Sequence, residues 1–325
     1  MIKTLLKVVA VLAIVVLLAA AGFYLWASSA VSRTFEAVHE THRVDFPIPF
    51  PATAEQLAAA GVTEDPDGEI ALANARERGR HLLTARYHCG ECHGQNFGGG
   101  VMVDAFPIGS FLGPNLTTGQ GSITTGFTAA DWDRAVRHGV LRDGRASIMP
   151  AQDFVRMSDQ ELSDIVAYIQ SQPPVDNEVP RPTFGPLGKV LVATGQLVPA
   201  VENIADHHAS HVALPPEATV STEFGEHLAA TCVGCHGPAL AGGPIVGGDP
   251  SWPPARNLTP HDTGLAGWTF EQFVTALRDA QRPDGTALRP PMTLVQTTAR
   301  AMTEVELRAL WEYLQSLPPT PMPGR

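Results

Sequence analysis

Cys89-Gly90-Glu91-Cys92-His93-Gly94 returns 143 residues later as Cys232-Val233-Gly234-Cys235-His236-Gly237. Other landmarks return with it. Asn115-Leu116-Thr117 reappears as Asn257-Leu258-Thr259, Asp143-Gly144 as Asp284-Gly285, and Met149 as Met292. Tyr168-Ile169-Gln170-Ser171-Gln172-Pro173-Pro174 becomes Tyr313-Leu314-Gln315-Ser316-Leu317-Pro318-Pro319, and upstream Gly79-Arg80-His81-Leu82 becomes Gly225-Glu226-His227-Leu228. The offsets stay between 141 and 146. A period of that length marks a duplicated domain, since solenoid units repeat about every 20–50 residues. The chain must therefore fold as two similar units, each carrying one Cys-x-x-Cys-His.

Within each copy the apolar residues fall at helical spacing. A first helix is predicted ahead of each cysteine motif, over approximately Glu69–Arg86 and Ser221–Ala230. A middle helix opens at Thr128 with Asp131 three residues on, and at Thr269 with Gln272 in the second copy. A last helix opens on Ser158-x-x-Glu161 or Thr303-x-x-Glu306, where each side chain satisfies a backbone N–H of the other. Leu162, Ile165, Val166 and Ile169 line one face of it before Pro173-Pro174, as Leu307, Leu310, Leu314 and Leu317 do before Pro318. Between helices the chain is rich in Gly, Pro and Thr, with few strand signals. The fold class is mainly α. A unit of roughly a hundred residues has a thin core by itself, so a large buried prosthetic group is expected to complete each interior.

Cys-x-x-Cys-His is the attachment signature of haem c. Two thiols add to the two vinyl groups, and the adjacent histidine ligates iron from one face. Zinc would need a fourth ligand, and a thioredoxin-like redox pair would sit at a βα junction that the pattern lacks. Two structural disulfides, in an exported protein, would leave the repeated histidine without a role. Cys89, Cys92, Cys232 and Cys235 are therefore assigned to two covalently bound haem c groups, with His93 and His236 as iron ligands. Met149 and Met292 each follow their histidine by 56 residues, beside Pro150 and Pro291, and are assigned as sixth ligands. Met157 and Met302 are the rivals, but they directly precede the helix caps, where an apolar residue serves as a hydrophobic staple. His/Met ligation saturates the iron and raises its potential. That favours outer-sphere electron transfer, and no catalytic residue is assigned.

The repeat resembles two class I cytochrome c domains in tandem. It is most similar to the membrane-associated cytochrome subunits of periplasmic alcohol, gluconate and related dehydrogenases. The resemblance rests on the two cysteine motifs, the Asn-Leu-Thr segments, Arg137-His138-Gly139-Val140-Leu141-Arg142-Asp143-Gly144 ahead of Met149-Pro150, and the two Tyr-x-Gln-Ser-x-Pro-Pro endings. It covers approximately residues 70–175 and 216–320. Those subunits typically carry three haems, where this chain has two motifs. The resemblance implies that first and last helices cross beside the haem, with Gly79 against Tyr168 and Gly225 against Tyr313.

Ahead of the repeat, Val8 to Trp26 is 19 residues without a charge, preceded by Lys3 and Lys7 and closed by Tyr24 and Trp26. This is the length and flanking of a membrane span with its N-terminus in the cytoplasm. A cleaved signal peptide, with Ala19-Ala20-Ala21 before the peptidase, is the competing reading. Either way the body is exported. The expected layout is a transmembrane anchor at 1–27, a periplasmic stalk at 28–68, the first domain at 69–175, a linker at 176–215 and the second domain at 216–320. Localisation is thus the inner membrane, single-pass, with the haem domains in the periplasm.

With 33 acidic against 22 basic side chains, the net charge of −11 excludes nucleic acid as a main partner. Both exported halves are acidic, which points to a basic docking partner. The expected partners are redox proteins (a dehydrogenase, an oxidase, a reaction centre or a soluble cytochrome), with lipid contacted through the N-terminal helix. The function read from these features is a membrane-anchored dihaem cytochrome relaying single electrons. A dihaem peroxidase-like enzyme and a haem-bearing subunit of a larger complex are the alternatives. His207, His208 and His211 in the linker have the look of a metal cluster but, bounded by Pro199 and Pro215-Pro216, are read as solvated loop histidines, and His81 and His227 as helix-packing residues. Leu187 to Val201 is read as a linker helix or strap lying on one domain, with a membrane-surface role as the alternative, and Arg256 as a surface arginine or a propionate partner.

Overall fold

The computed structural model describes residues 2–35, 44–245, 248 and 251–323. It is mainly helical. The chain opens with α1 (Ile2–Val31), whose 30 residues are long and apolar enough to cross a membrane. At 1.5 Å per residue it is about 45 Å long, the depth of a bilayer with its headgroups. α2 (Ala54–Ala59) follows, and the first copy then runs through α3 (Glu69–Ala85), α4 (Cys89–His93), β1 (Gly100–Ala105), β2 (Gly109–Gly113), α5 (Ala129–Val136) and α6 (Asp159–Gln170). The connecting segment holds β3 (Thr183–Phe184), α7 (Pro186–Ala193) and α8 (Ala200–Asn203). The second copy comprises α9 (Thr222–Ala229), α10 (Val233–His236), α11 (Phe270–Asp279), α12 (Gln296–Ala301) and α13 (Glu304–Ser316). Short 3-10 turns lie at Ala151–Asp153, Ala230–Cys232 and Met292–Val295.

The middle and last helices begin where their capping residues dictate. Thr128 with Asp131, Ser158 with Glu161, Thr269 with Gln272 and Thr303 with Glu306 all form reciprocal capping boxes. In each copy the first helix crosses the last at a glycine. A Cβ on Gly79 would lie 2.1 Å from the Asp164 carbonyl oxygen and 2.8 Å from the Tyr168 Cβ. A Cβ on Gly225 would lie 2.0 Å from the Ala309 carbonyl oxygen and 2.6 Å from the Tyr313 Cβ. Around the first crossing, Leu82, Trp132, Leu162, Ile165 and Ile169 form one core; around the second, Phe224, Leu228, Phe273, Leu310 and Leu314 form another.

Two features depart from the sequence reading. The first copy contains a three-stranded antiparallel sheet, in which β3 from the connecting segment pairs with β2 of the hairpin. In the second copy only a single bridge, Gly243 to Ala255, stands in the place of the hairpin among the described residues. The strands are short and glycine-rich, so they carry no apolar alternation to reveal them. The second departure is the stalk. Residues 36–43 lie outside the described residues, but on either side of them the segment is strapped to the first copy. Thr34 bridges to Arg145, the Phe35 N–H donates to the Gly144 carbonyl at 2.7 Å, and Phe46 is buried in the first core. The Ser163 hydroxyl donates to the Pro47 carbonyl at 2.7 Å.

The two copies meet through reciprocal contacts. His227 Nε2–H of α9 donates to Glu161 of α6 at 2.8 Å, and His81 Nε2–H of α3 donates to Glu306 of α13 at 2.9 Å. These are the same two positions exchanged between copies. Arg86 sits between them, paired with Glu161 and 3.5 Å from Glu306, with its guanidinium 5.7 Å from the Phe224 ring. His88 meets Thr298 of α12 nearby. His81 and His227, read from sequence as packing residues, are thus polar ties between the copies.

Adding a methyl at either crossing forces the helices apart. Gly79→Ala or Gly225→Ala is expected to lower the unfolding free energy by about 1–3 kcal/mol, seen as a lower urea midpoint. Glu161 provides a second test. Burial by itself raises its pKa, but the hydrogen bond from His227 and the charge of Arg86 outweigh burial and hold it down at about 2, against an ordinary 4.5. The folded value lies below the unfolded one, so this stabilisation is complete above about pH 4.5 and is lost as the pH falls towards 2. The urea midpoint should therefore drop through that window, and Glu161→Gln should flatten the drop.

Candidate haem-binding sites

Cys89, Cys92 and His93 share α4; in the second copy Cys232 closes a 3-10 turn and Cys235 and His236 follow on α10. Residues three and four apart fall on one helical face. Each motif thereby presents two thiols and an imidazole to the same side. None of the four cysteines is in a disulfide. Burial pushes the Cys89 thiol up to about 12 and the Cys232 thiol up to about 11.

The two histidines are oriented alike. His93 Nδ1–H donates to the Pro114 carbonyl at 2.9 Å, and His236 Nδ1–H donates to the Arg256 carbonyl at 2.6 Å. Burial lowers the pKa of both rings, so each is neutral with its unprotonated nitrogen at Nε2. A neutral imidazole whose far nitrogen is held by a carbonyl is the arrangement a metal-ligating histidine takes. Two neutral thiols and such an imidazole on one face, inside a unit with a thin core, fit haem c in both copies.

The carbonyls that hold the rings are themselves fixed. The Asn115 side-chain amide donates to the Val175 carbonyl at 2.6 Å, and its Oδ1 accepts from the Thr117 N–H at 2.9 Å. Asn257 repeats this, donating to the Thr320 carbonyl at 2.6 Å and accepting from the Thr259 N–H at 2.8 Å. Each Asn-Leu-Thr segment thus clasps the loop after the motif to the chain beyond the last helix. Sequence reasoning missed Pro114 and the backbone role of Arg256. Their shared place immediately before Asn-Leu-Thr was the available signal, hidden because a carbonyl needs no particular side chain. In the first copy β2 also lies directly on α4: a Cβ on Gly113 would fall 2.0 Å from the Cys92 carbonyl oxygen.

Met149 lies half-buried in the loop before the Ala151–Asp153 turn, and Met292 begins the 3-10 turn before α12. Their rivals belong to the cores. Met157 is 3% exposed among Leu162 and Trp132, and Met302 packs against the second core. The copies abut near these loops, because a Cβ on Gly234, within the second motif, would lie 2.3 Å from Asp153 Oδ1.

The linker histidines divide. His208 is exposed, as expected, but His207 and His211 turn inward and meet His138. The solvated reading of those two is therefore incorrect. α8 packs Ala200 and Ile204 on Ala151 and Val155, and this brings the following residues over α5.

Comparison with known proteins agrees with this geometry. The family described as cytochrome c matches at residues 76–173 and again at 223–318. The cytochrome c subunit of a quinone alcohol dehydrogenase from Gluconacetobacter polyoxogenes is 26% identical over 296 residues, covering 82% of this chain and 60% of the relative. The gluconate 2-dehydrogenase cytochrome c subunit of Pantoea cypripedii is 26% identical over 275 residues, covering 74% and 59%. A dihaem cytochrome c-type protein of Cereibacter sphaeroides is 24% identical over 282 residues, covering 79% of this chain and 90% of the relative. The chain thus spans about 60% of the length of these two dehydrogenase subunits, and nearly the whole of a dihaem cytochrome. With the family matched twice over more than half of its length, the chain belongs to the cytochrome c family as an electron-transfer protein with two covalently bound haem c groups.

Proposed function

We propose that the chain is a membrane-tethered relay, passing single electrons from a dehydrogenase through two haem units to a further redox protein. Haem c supplies a one-electron ferric/ferrous couple. The chain's own residues would do the rest. Cys89 and Cys92 would anchor the first group and Cys232 and Cys235 the second; His93 with Met149, and His236 with Met292, would ligate the irons. The observation that carries this reading is the matched imidazole orientation, with the same nitrogen of His93 and His236 held by a backbone carbonyl in each copy. Burial of Met157 in the first core supports Met149 as the ligand. The contact of Asp153 with Gly234 supports passage between the units, since it sets the methionine loop of one against the attachment motif of the other.

The anchor is read as retained. The end of α1 is built into the exported fold: Ala27 is fully buried, and Lys189 of α7 donates to the Tyr24 hydroxyl at 2.9 Å while standing 4.6 Å from its ring centre. These contacts support a retained anchor over a cleaved leader. Phe106, 91% exposed at the tip of the β1–β2 hairpin, and Leu187 of α7 belong to the same neighbourhood, where Gly185 and Gly188 touch Pro107 and Ile108. They suit an interface with lipid. The domains then stand on the periplasmic face with Lys3 and Lys7 in the cytoplasm. The dehydrogenase names of the relatives support a dehydrogenase as the electron donor.

Met149→Ala and Met292→Ala should each remove about half of the weak red-edge absorption band that iron–methionine ligation gives; an unchanged spectrum refutes that residue. Cys89→Ala with Cys92→Ala should leave one covalent haem by intact mass. The mature protein should stay in the membrane fraction with residues 2–31 present in its mass, and recovery of a soluble chain lacking them would show α1 to be a leader.

A further inference from the structure

Three donors from separate parts of the chain converge under the linker. Asp133 lies on α5, His138 in the turn after it, and His211 comes from the linker beyond α8. Their ligand atoms all lie within 4.8 Å of one another. His138 Nε2 and His211 Nε2 are 3.2 Å apart, and each is 3.5 Å from an oxygen of the Asp133 carboxylate. All three side chains are withdrawn from solvent, at 3%, 1% and 8% exposure. We propose that Asp133, His138 and His211 form a zinc site that pins the linker to the first haem unit.

The spacing suits that ion. Zinc held tetrahedrally by nitrogen and oxygen at about 2.0–2.1 Å sets its donors roughly 3.4 Å apart. The proton positions suit it as well. His207 Nε2–H donates to the Val201 carbonyl at 2.8 Å, which in the Nε2–H tautomer leaves Nδ1 as an acceptor. His138 Nδ1 lies 2.9 Å from that atom and donates to it. His138 must then carry its unprotonated nitrogen at Nε2, on the side of His211 and Asp133. The carboxylate is steadied by Arg137, whose Nε–H donates to Asp133 Oδ1 at 2.6 Å. An imidazole and a carboxylate each oriented by a further partner is how metal ligands are held. A purely hydrogen-bonded cluster would instead place a proton between the two Nε2 atoms. That is the competing occupant.

The site is distinct from both haem motifs, and metal counting can test it with the haems in place. Untagged full-length protein in mild detergent would be stripped with a chelator, dialysed and titrated with zinc chloride, and bound zinc compared with haem iron. The expected result is one zinc for every two irons. His211→Ala should lower zinc affinity at least about tenfold, with both haems retained by absorption spectrum, and His208→Ala on the same linker should bind as the unaltered protein does. Zinc should also raise the melting midpoint of the unaltered protein and not that of His211→Ala. Failure of the folded protein to take up zinc, or equal binding by His211→Ala, would overturn the proposal in favour of the proton-linked cluster.

Discussion

At Gly79 the first helix of one unit passes so near the last that only a hydrogen fits between its Cα and the carbonyl of Asp164; Gly225 repeats this against Ala309. The rest of the molecule follows from these crossings. They lay the helix carrying His81 or His227 along the final helix of its own unit, and those histidines reach the capping glutamate of the other unit's final helix. A small unit gains little from its own apolar side chains. Backbone in contact with backbone is how it closes before any prosthetic group is counted.

Much of this was legible in the sequence because its signals are local. The capping pairs Ser158/Glu161 and Thr303/Glu306 sit three residues apart and start helices as read. The motif cysteines and histidines are likewise close in sequence, on α4 in the first copy and across a 3-10 turn and α10 in the second. What escaped the sequence involves partners remote along the chain. Nothing near His227 announces Glu161, and nothing near His211 announces His138, 73 residues earlier. The sheet escaped because glycine-rich strands have no alternation to read.

The two carboxylates Glu161 and Glu306 each serve twice. Each accepts from its own helix N-terminus, and each also accepts a histidine of the other copy. Local helix geometry and the seating of the copies therefore depend on the same atoms. Arg86 breaks the symmetry, since no arginine lies between His227 and Cys232 in the second copy. One buried cation thus serves both carboxylates.

That exchange of identical positions is the pattern of a two-fold symmetric dimer, here written into one polypeptide. Linkage makes the association of the halves an intramolecular event, so dilution cannot separate them. It also frees each half from the demand that every change suit both sides of the interface at once. Among the described residues, the Asp133–His138–His211 cluster and the β-sheet join the first half to the linker, on the side where the tether enters. Within one chain the two halves can in this way differ while their mutual fit is preserved.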